Sequence, residues 1–506
     1  MSRVSAMAHL EAMEQMRAVS LTVFRHRRLS AKPLVIVPLT MAGEAGAPLA
    51  AMAGTSRTAP KLLVVAQPRN RDQRFAFAAD LGRIVMNYID SHRLHRREVA
   101  SRVEGPTSRY TDAPQILVPN PGGIKALIDL GRMCRYRKAE GPYPVAPVVP
   151  QLGMWLTFLA ETAEQAGTSM LLPVTGMLAE HWATGQSTME DQNLASIMGW
   201  IDPPEGLSVA QAIADAENPA VCPPAGPATS PEFDKTYLAP AIRRFDDTYA
   251  RGDIAATAAA EADLRELIGE QIKPTWRLMW AAVSLLRAVP EAPRTAARFE
   301  RDLASFTAYS DYQDGGGLPQ RKHDGAIGAA RRLSRLERAQ ADFEADMAFD
   351  DPLALADRRS MGEAFAGVVT GAEPDRVVTT AKNRRVPRPR ITVTTYDPVR
   401  LAPGVTLISP SMPNSHKALI IASVPDGAST QILVEVTGGM GRGVVPLKGS
   451  VPVLGQHMDY LPDPGWRPTP VFPEPDSMPW THSSPADDDP DTNPEDNAAE
   501  EWGNAD

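Results

Sequence analysis

Two uninterrupted apolar runs near the N-terminus constrain the fold of this chain most. PLVIVPLTM (33–41) and KLLVVAQP (61–68) lack the polar alternation of a half-exposed strand, so both read as buried strands. RFAFAADLGRIVMNYID (74–90) carries helical spacing, PQILVPNP (114–121) is strand-like, and GGIKALIDLGRM (122–133) predicts a second helix. Strands alternating with helices imply an α/β domain within residues 1–150. Ahead of it, Val4, Met7, Leu10, Met13 and Met16 recur every third residue and predict an amphipathic helix over 4–24.

Texture changes twice further on. Residues 151–380 read as mainly helical, beginning with GMWLTFLAETAEQAG (153–167), MLLPVTGMLAEHWATG (170–185) and SVAQAIADAEN (208–218). Leu264, Ile268, Ile272, Trp276, Trp280 and Val283 form one apolar stripe, with Pro274 predicting a kink or a fresh start. Leu333, Leu336, Phe343 and Met347 form a second stripe. PAVCPPAGPATSP (219–231) is a linker by composition, and 311–325 is a mobile loop between the stripes. Residues 390–462 are rich in Val, Ile and Thr broken by Pro, Asp and Gly, which predicts about five short strands in a small barrel or sandwich. The fold class is therefore α+β multidomain, in line with a length of 506 residues, for which about three domains is the expectation.

The net charge of −9 is not spread evenly. Residues 468–506 hold eleven acids and no Lys or Arg, which leaves 52 bases against 50 acids in the rest of the chain. Residues 463–506 are Pro-, Asp- and Glu-rich with lone Trp466, Trp480 and Trp502, so a disordered acidic tail is expected. Such a tail can fold back on basic residues and compete with an anionic partner. Only Cys134 and Cys222 occur, 88 residues apart, which excludes a disulfide framework and suits a reducing compartment. Glu11 and Glu14 stand where a signal peptide needs its apolar core, and no apolar run reaches membrane-spanning length. A cytoplasmic protein without a membrane partner is expected.

Most chemical signals resolve into local structure. In ILVEVTGGMGRGVVPLKGS (432–450) Lys448 precedes Gly449, so the phosphate-gripping order Gly-Lys-Ser is absent; the glycines read as a turn between two strands, with Arg442 at its tip. Pro425-Asp426 and Glu435-Val436-Thr437 resemble a nuclease metal motif, yet Thr437 stands where its lysine belongs and Pro425-Asp426-Gly427 fits a tight turn. Around EHWATGQSTMEDQNLASIMGW (180–200), His181 is the candidate general base, with Glu190 and Asp191 beside it. There Ser187 and Glu190 also have capping-box spacing. VPNPGGIKAL (118–127) places Gly122 and Gly123 between a strand and a helix, the order of an anion-binding turn. No spacing of His, Cys, Asp or Glu gathers a metal site, and no motif implies a cofactor.

Basic clustering remains. FRHRR (24–28), HRLHRR (92–97), GRMCRYRK (131–138), ARRLSRLER (330–338) and AKNRRVPRPR (381–390) concentrate arginine. The last leads into the β-rich domain, so Lys382, Arg384, Arg385, Arg388 and Arg390, with Arg442, are candidate contacts for a nucleic-acid backbone. With no catalytic motif and a charged tail, the leading expectation is a non-enzymatic binding or adaptor protein acting in a multiprotein assembly through a protein partner. The alternatives are a nucleic-acid-associated protein using the basic arm, and an enzyme centred on His181, Glu190 and Asp191.

Overall fold

The computed structural model describes residues 3–44, 46–100, 106–224, 226–441, 443–465 and 470–472. The eleven acids of the tail, its Trp466, Trp480 and Trp502, and Arg442 lie outside the described residues.

A five-stranded mixed sheet forms the N-terminal core. Its strands are β1 (Leu34–Thr40), β2 (Pro48–Gly54), β3 (Lys61–Val64), β4 (Ile116–Val118) and β5 (Leu171–Pro173), in the order β3-β2-β1-β4-β5. β1 pairs antiparallel with β2 and parallel with β4, and β4 pairs parallel with β5. Alternate residues point to opposite faces of a strand. Leu34, Ile36, Ala51, Ile116 and Leu171 pack under helices Arg71–Ser91, Pro121–Cys134 and Val148–Ala163. Val35, Val37, Met52, Leu117 and Leu172 face helices Val174–His181, Leu194–Ile201 and Ile254–Ala288. Both faces of β1 and β2 are covered, which is why β1 reads as a continuous apolar run. β3, expected to be buried over 61–68, is instead an edge strand of Lys61–Val64 that is only half-buried.

Several strands lie where helix or loop was expected. MLLPVTGMLAEHWATG reads as helix throughout, but Leu171–Pro173 closes the sheet edge before helix Val174–His181 starts. A run this short has no period to betray it, and the site between two helical layers decides its state. The N-terminal helix covers only Arg3–Gln15; Met16 takes a left-handed backbone (φ 45°) and Val19–Ser20 then pairs with Trp182–Ala183. The predicted stripe at 264–283 is buried, and helix Ile254–Ala288 runs through Pro274 as one element. Of the second stripe, Phe343 is buried and Leu333 exposed on helix Ala326–Asp350. Of the loop expected at 311–325, residues 311–314 belong to helix Thr295–Asp314, and the remainder is held at Gln320, whose carbonyl accepts from Tyr136 Oη and whose Nε2 donates to the Met154 carbonyl.

Helix Pro352–Met361 leads into a closed barrel. Its strands are β6 (Phe365–Glu373), β7 (Arg390–Thr395), β8 (Thr406–Ile408), β9 (Lys417–Asp426), β10 (Ser429–Gly438) and β11 (His457–Pro462). They close in the order β6-β7-β10-β9-β8-β11, all antiparallel, around Phe365, Val393, Ile420, Val434 and Tyr460. The barrel thus opens at Phe365, ahead of the change in texture at 390.

A buried ionic seam ties the sheet, the helices and the barrel approach together. The Asp351 carboxylate accepts from the amides of Val23 (2.8 Å), Phe24 (3.3 Å) and Leu353 (2.8 Å), and lies 3.4 Å from His26 Nε2. Burial alone would raise its pKa, but the His26 ring and these amides outweigh it and hold the carboxyl below its ordinary value. Arg25 bonds Glu291 and the Leu286 carbonyl, and Arg27 grips the Glu180 carboxylate through Nε and Nη2. Arg298 donates to the His26 carbonyl. Asp302, whose pKa burial pushes up to about 6, accepts from Thr168 Oγ1 and the Ser169 amide.

Replacing Asp351 with Ala orphans three amides at once, and is expected to cost about 3–5 kcal/mol. Asp72→Ala, at an exposed side chain, should stay within about 0.5 kcal/mol of the parent. Denaturant unfolding of the two variants checks this; equal midpoints would deny the seam its structural role.

Candidate functional site

His181 closes helix Val174–His181 and is 2% exposed, with neither ring nitrogen bonded. Burial lowers its pKa to about 4, opposed by Glu180 and reinforced by His26 and Arg25. The Glu180 carboxylate is already held by Arg27. Glu190 is exposed and accepts from the Ser187 amide at 2.6 Å, while Ser187 Oγ accepts from the Glu190 amide at 3.3 Å. The capping exchange is thus made, and those Ser187 bonds hold the Glu190 carboxyl below its ordinary range. It heads the short 3-10 turn Glu190–Gln192, and Asn193 caps the helix that follows. Asp191 accepts from Thr184 Oγ1 (2.8 Å) and Gln186 Nε2 (2.9 Å). Gln186 Oε1 in turn accepts from Ser196 Oγ and Trp200 Nε1. Each of these polar groups except His181 is spent on local structure, and neither His181 ring nitrogen has a hydrogen-bond partner among the described residues.

The turn at Gly122 and Gly123 is filled by the chain itself. The Gly123 amide donates to Asn120 Oδ1 at 3.1 Å, and Asn120 Nδ2 donates to the carbonyls of Gly226 and Gln192. A Cβ on Gly122 would lie 2.7 Å from Pro227 Cδ, so glycine is there for close packing. The linker is therefore a cover: Pro227 accepts from the Thr40 amide, and the Thr229 amide donates to the Thr40 carbonyl. Among the described residues, no group of three or more His, Cys, Asp or Glu could hold a metal ion, and no helix is long and apolar enough to cross a membrane.

The clusters at 24–28 and 92–97 are neutralised in place, and at 330–338 Arg332 alone meets an acid among the described residues. Arg28 reaches Asp112 and lies 3.7 Å from the centre of the Phe299 ring. Arg93, Arg96 and Arg97 pair with Asp314, Asp311 and Glu300, and Arg332 pairs with Glu164 and Asp324.

The 381–390 arm divides into two groups. Val377–Thr379 and Arg385–Pro387 pair as a small antiparallel hairpin between β6 and β7. At its root Glu435 on β10 lies 2.6 Å from Arg376, 3.1 Å from Arg390 and 3.9 Å from Arg388. Toward its tip Lys382, Arg384 and Arg385 are exposed, and none meets an acidic side chain among the described residues. Strand register puts this hairpin and residues 439–456 at the same barrel end, because Glu373 faces Arg390, Arg390 faces Glu435 and Lys417 faces Gly438. Phe365, where the chain enters, lies toward the other end beside Tyr460.

The stretch 432–450 departs from its expected hairpin. β10 ends at Gly438, and VVPLKGSVPV is an irregular loop rather than a strand. Pro446 and Pro452 lack the amides a ladder needs. The loop is pinned instead by the Leu447 amide on the Met440 carbonyl and the Ser450 amide on the Leu447 carbonyl. Asp426 sits at the β9–β10 turn, separated from Glu435 along β10. The exposed apolar residues of the loop were hidden in sequence by their strand-like composition.

No family model matches this chain, and no curated protein or solved structure matches it.

The pKa of His181 is lower in the fold than its ordinary 6.5, so on acidification the unfolded chain takes up that proton first. His181 then costs stability progressively from about 6.5 down to about 4, where the folded ring also protonates. A His181→Leu variant should gain on the parent by about 1.4 kcal/mol per pH unit across that window. Denaturant unfolding near neutrality and near pH 5 reads this out; a pH-independent difference would contradict a buried, uncharged His181.

Proposed function

We propose that this chain is a non-enzymatic cytoplasmic binding protein that docks a protein partner on one end of its C-terminal barrel. One observation carries the reading. Within residues 444–454, Val445 is 79% exposed, Leu447 62%, Val453 64% and Leu454 63%, on a loop held by its own hydrogen bonds. Exposed apolar side chains gathered on one segment mark interaction surfaces, because each loses its water contact only when a partner covers it. Covering such side chains is worth about 1.5–3 kcal/mol each when complete. The enzymatic alternative has less support: Asp191 is bonded within the fold, Glu190 is bonded to the Ser187 amide, and among the described residues neither ring nitrogen of the buried His181 has a hydrogen-bond partner.

The test is affinity purification of the tagged full chain from its native cell, beside a Val445→Asp/Leu454→Asp variant, with mass spectrometry of what co-elutes. A protein held in near-stoichiometric amount by the parent and lost at least tenfold from the variant, with the unfolding midpoint unchanged, is the expected result. No co-eluting protein, or equal recovery from both, would overturn the reading.

A further inference from the structure

We propose that the hairpin Val377–Pro387 is a nucleic-acid-binding element that engages the phosphate backbone of a duplex through Lys382, Arg384 and Arg385. The distribution of charge is the first argument. The clusters at 24–28 and 92–97 are spent on internal acids: Arg27 on Glu180, Arg28 on Asp112, Arg93 and Arg96 on Asp314 and Asp311. Arg331 and Arg335 stay exposed without an acidic partner among the described residues, on a helix rather than a ribbon. At the hairpin the same sequence cluster is split, with Arg388 and Arg390 turned to Glu435 and the three cations nearer the tip left in solvent. Three uncompensated cations within four residues repel one another, and an external polyanion relieves that repulsion.

Rigidity is the second argument. The tip is closed by the Thr380 amide on the Arg384 carbonyl, the Asn383 amide on the Thr380 carbonyl, and the Arg384 amide on Thr380 Oγ1. Asn383 adopts the left-handed conformation the turn requires (φ 55°), which asparagine tolerates better than most residues. At the root, Arg376 Nη1 donates to both the Arg388 carbonyl and Glu435, so the ribbon is clamped to β10. The backbone that carries the cations is therefore fixed before binding, and only their side chains remain to be ordered.

The composition of the tip selects the kind of polyanion. Thr379, Thr380, Ala381, Lys382, Asn383, Arg384 and Arg385 include no large apolar side chain to insert into a bilayer. Arg, Lys, Asn and Thr are the side chains that bond phosphate oxygens and base edges. A two-stranded ribbon about 5 Å between strands also fits a major groove about 12 Å wide.

Fluorescence anisotropy of a short labelled DNA duplex, titrated with the full chain over a range of salt, tests this. The parent should bind at low salt, with log K falling linearly against log salt. In the Lys382→Gln/Arg384→Gln/Arg385→Gln variant the slope should shrink by about 2.7, from three phosphate contacts at roughly 0.9 each. The Val445→Asp/Leu454→Asp variant should bind the duplex as the parent does, which separates this element from the protein-docking loop. An unchanged melting midpoint in the triple variant shows that the fold is intact. The proposal is overturned if the parent fails to bind at low salt, if the triple variant keeps the parent's slope, or if anionic vesicles or polyglutamate bind as tightly as the duplex.

Discussion

The Asp351 carboxylate is the contact on which the rest of the architecture depends. It is reached by Val23 and Phe24, more than three hundred residues earlier in the chain, and by Leu353 at the start of the helix that leads into the barrel. Around it, Arg25, Arg27 and Arg298 join helix Val174–His181, helix Ile254–Ala288, helix Thr295–Asp314 and the N-terminal segment into one body. A buried carboxylate is costly unless each oxygen is occupied, and here the amides and the His26 ring occupy them. The seam explains why a nearly neutral body carries an arginine-rich segment at residues 24–28 without offering it to a ligand.

Periodicity made the covered parts of the fold legible. The unbroken apolar run at 33–41 and the helical spacing over 74–90 and from Leu264 to Val283 each extend over enough residues to declare their state, while 61–68 yields only a short, half-buried edge strand. PLAAMAG carries no strand signal, because alanine favours helix; it becomes β2 through its place between β1 and β3. Leu171–Pro173 is too short to show a period at all. In the other direction, VVPLKGSVPV has strand composition but two prolines, and the barrel closes without it. The candidate sites were harder to read for a different reason. Whether a basic cluster is free depends on acids far away in sequence: Glu180 for Arg27, 153 residues on, and Asp351 for His26, 325 residues on. At the hairpin, even the short distance from Arg390 to Glu435 is bridged only by the register of β7 on β10.

A division of labour follows from these contacts. The sheet, its helices and the seam use Asp351, Asp302, Glu180, Glu291, Arg25, Arg27 and Arg298 in holding the body together. The barrel, entered at Phe365, carries at one end both a rigid basic hairpin and an apolar loop. These two surfaces differ in chemistry, one charged and one apolar, and the two proposed partners would meet at a single barrel end.

Native-state hydrogen exchange over residues 19–30 tests the central claim, the structural role of the seam, most directly. Local stability is read amide by amide in such a measurement. The Val23 and Phe24 amides, held by Asp351, should exchange as slowly as those of β1 at Leu34–Thr40. Exchange as fast as that of the exposed turn at residues 204–208 would contradict the account and leave the arginines of the seam available for another use.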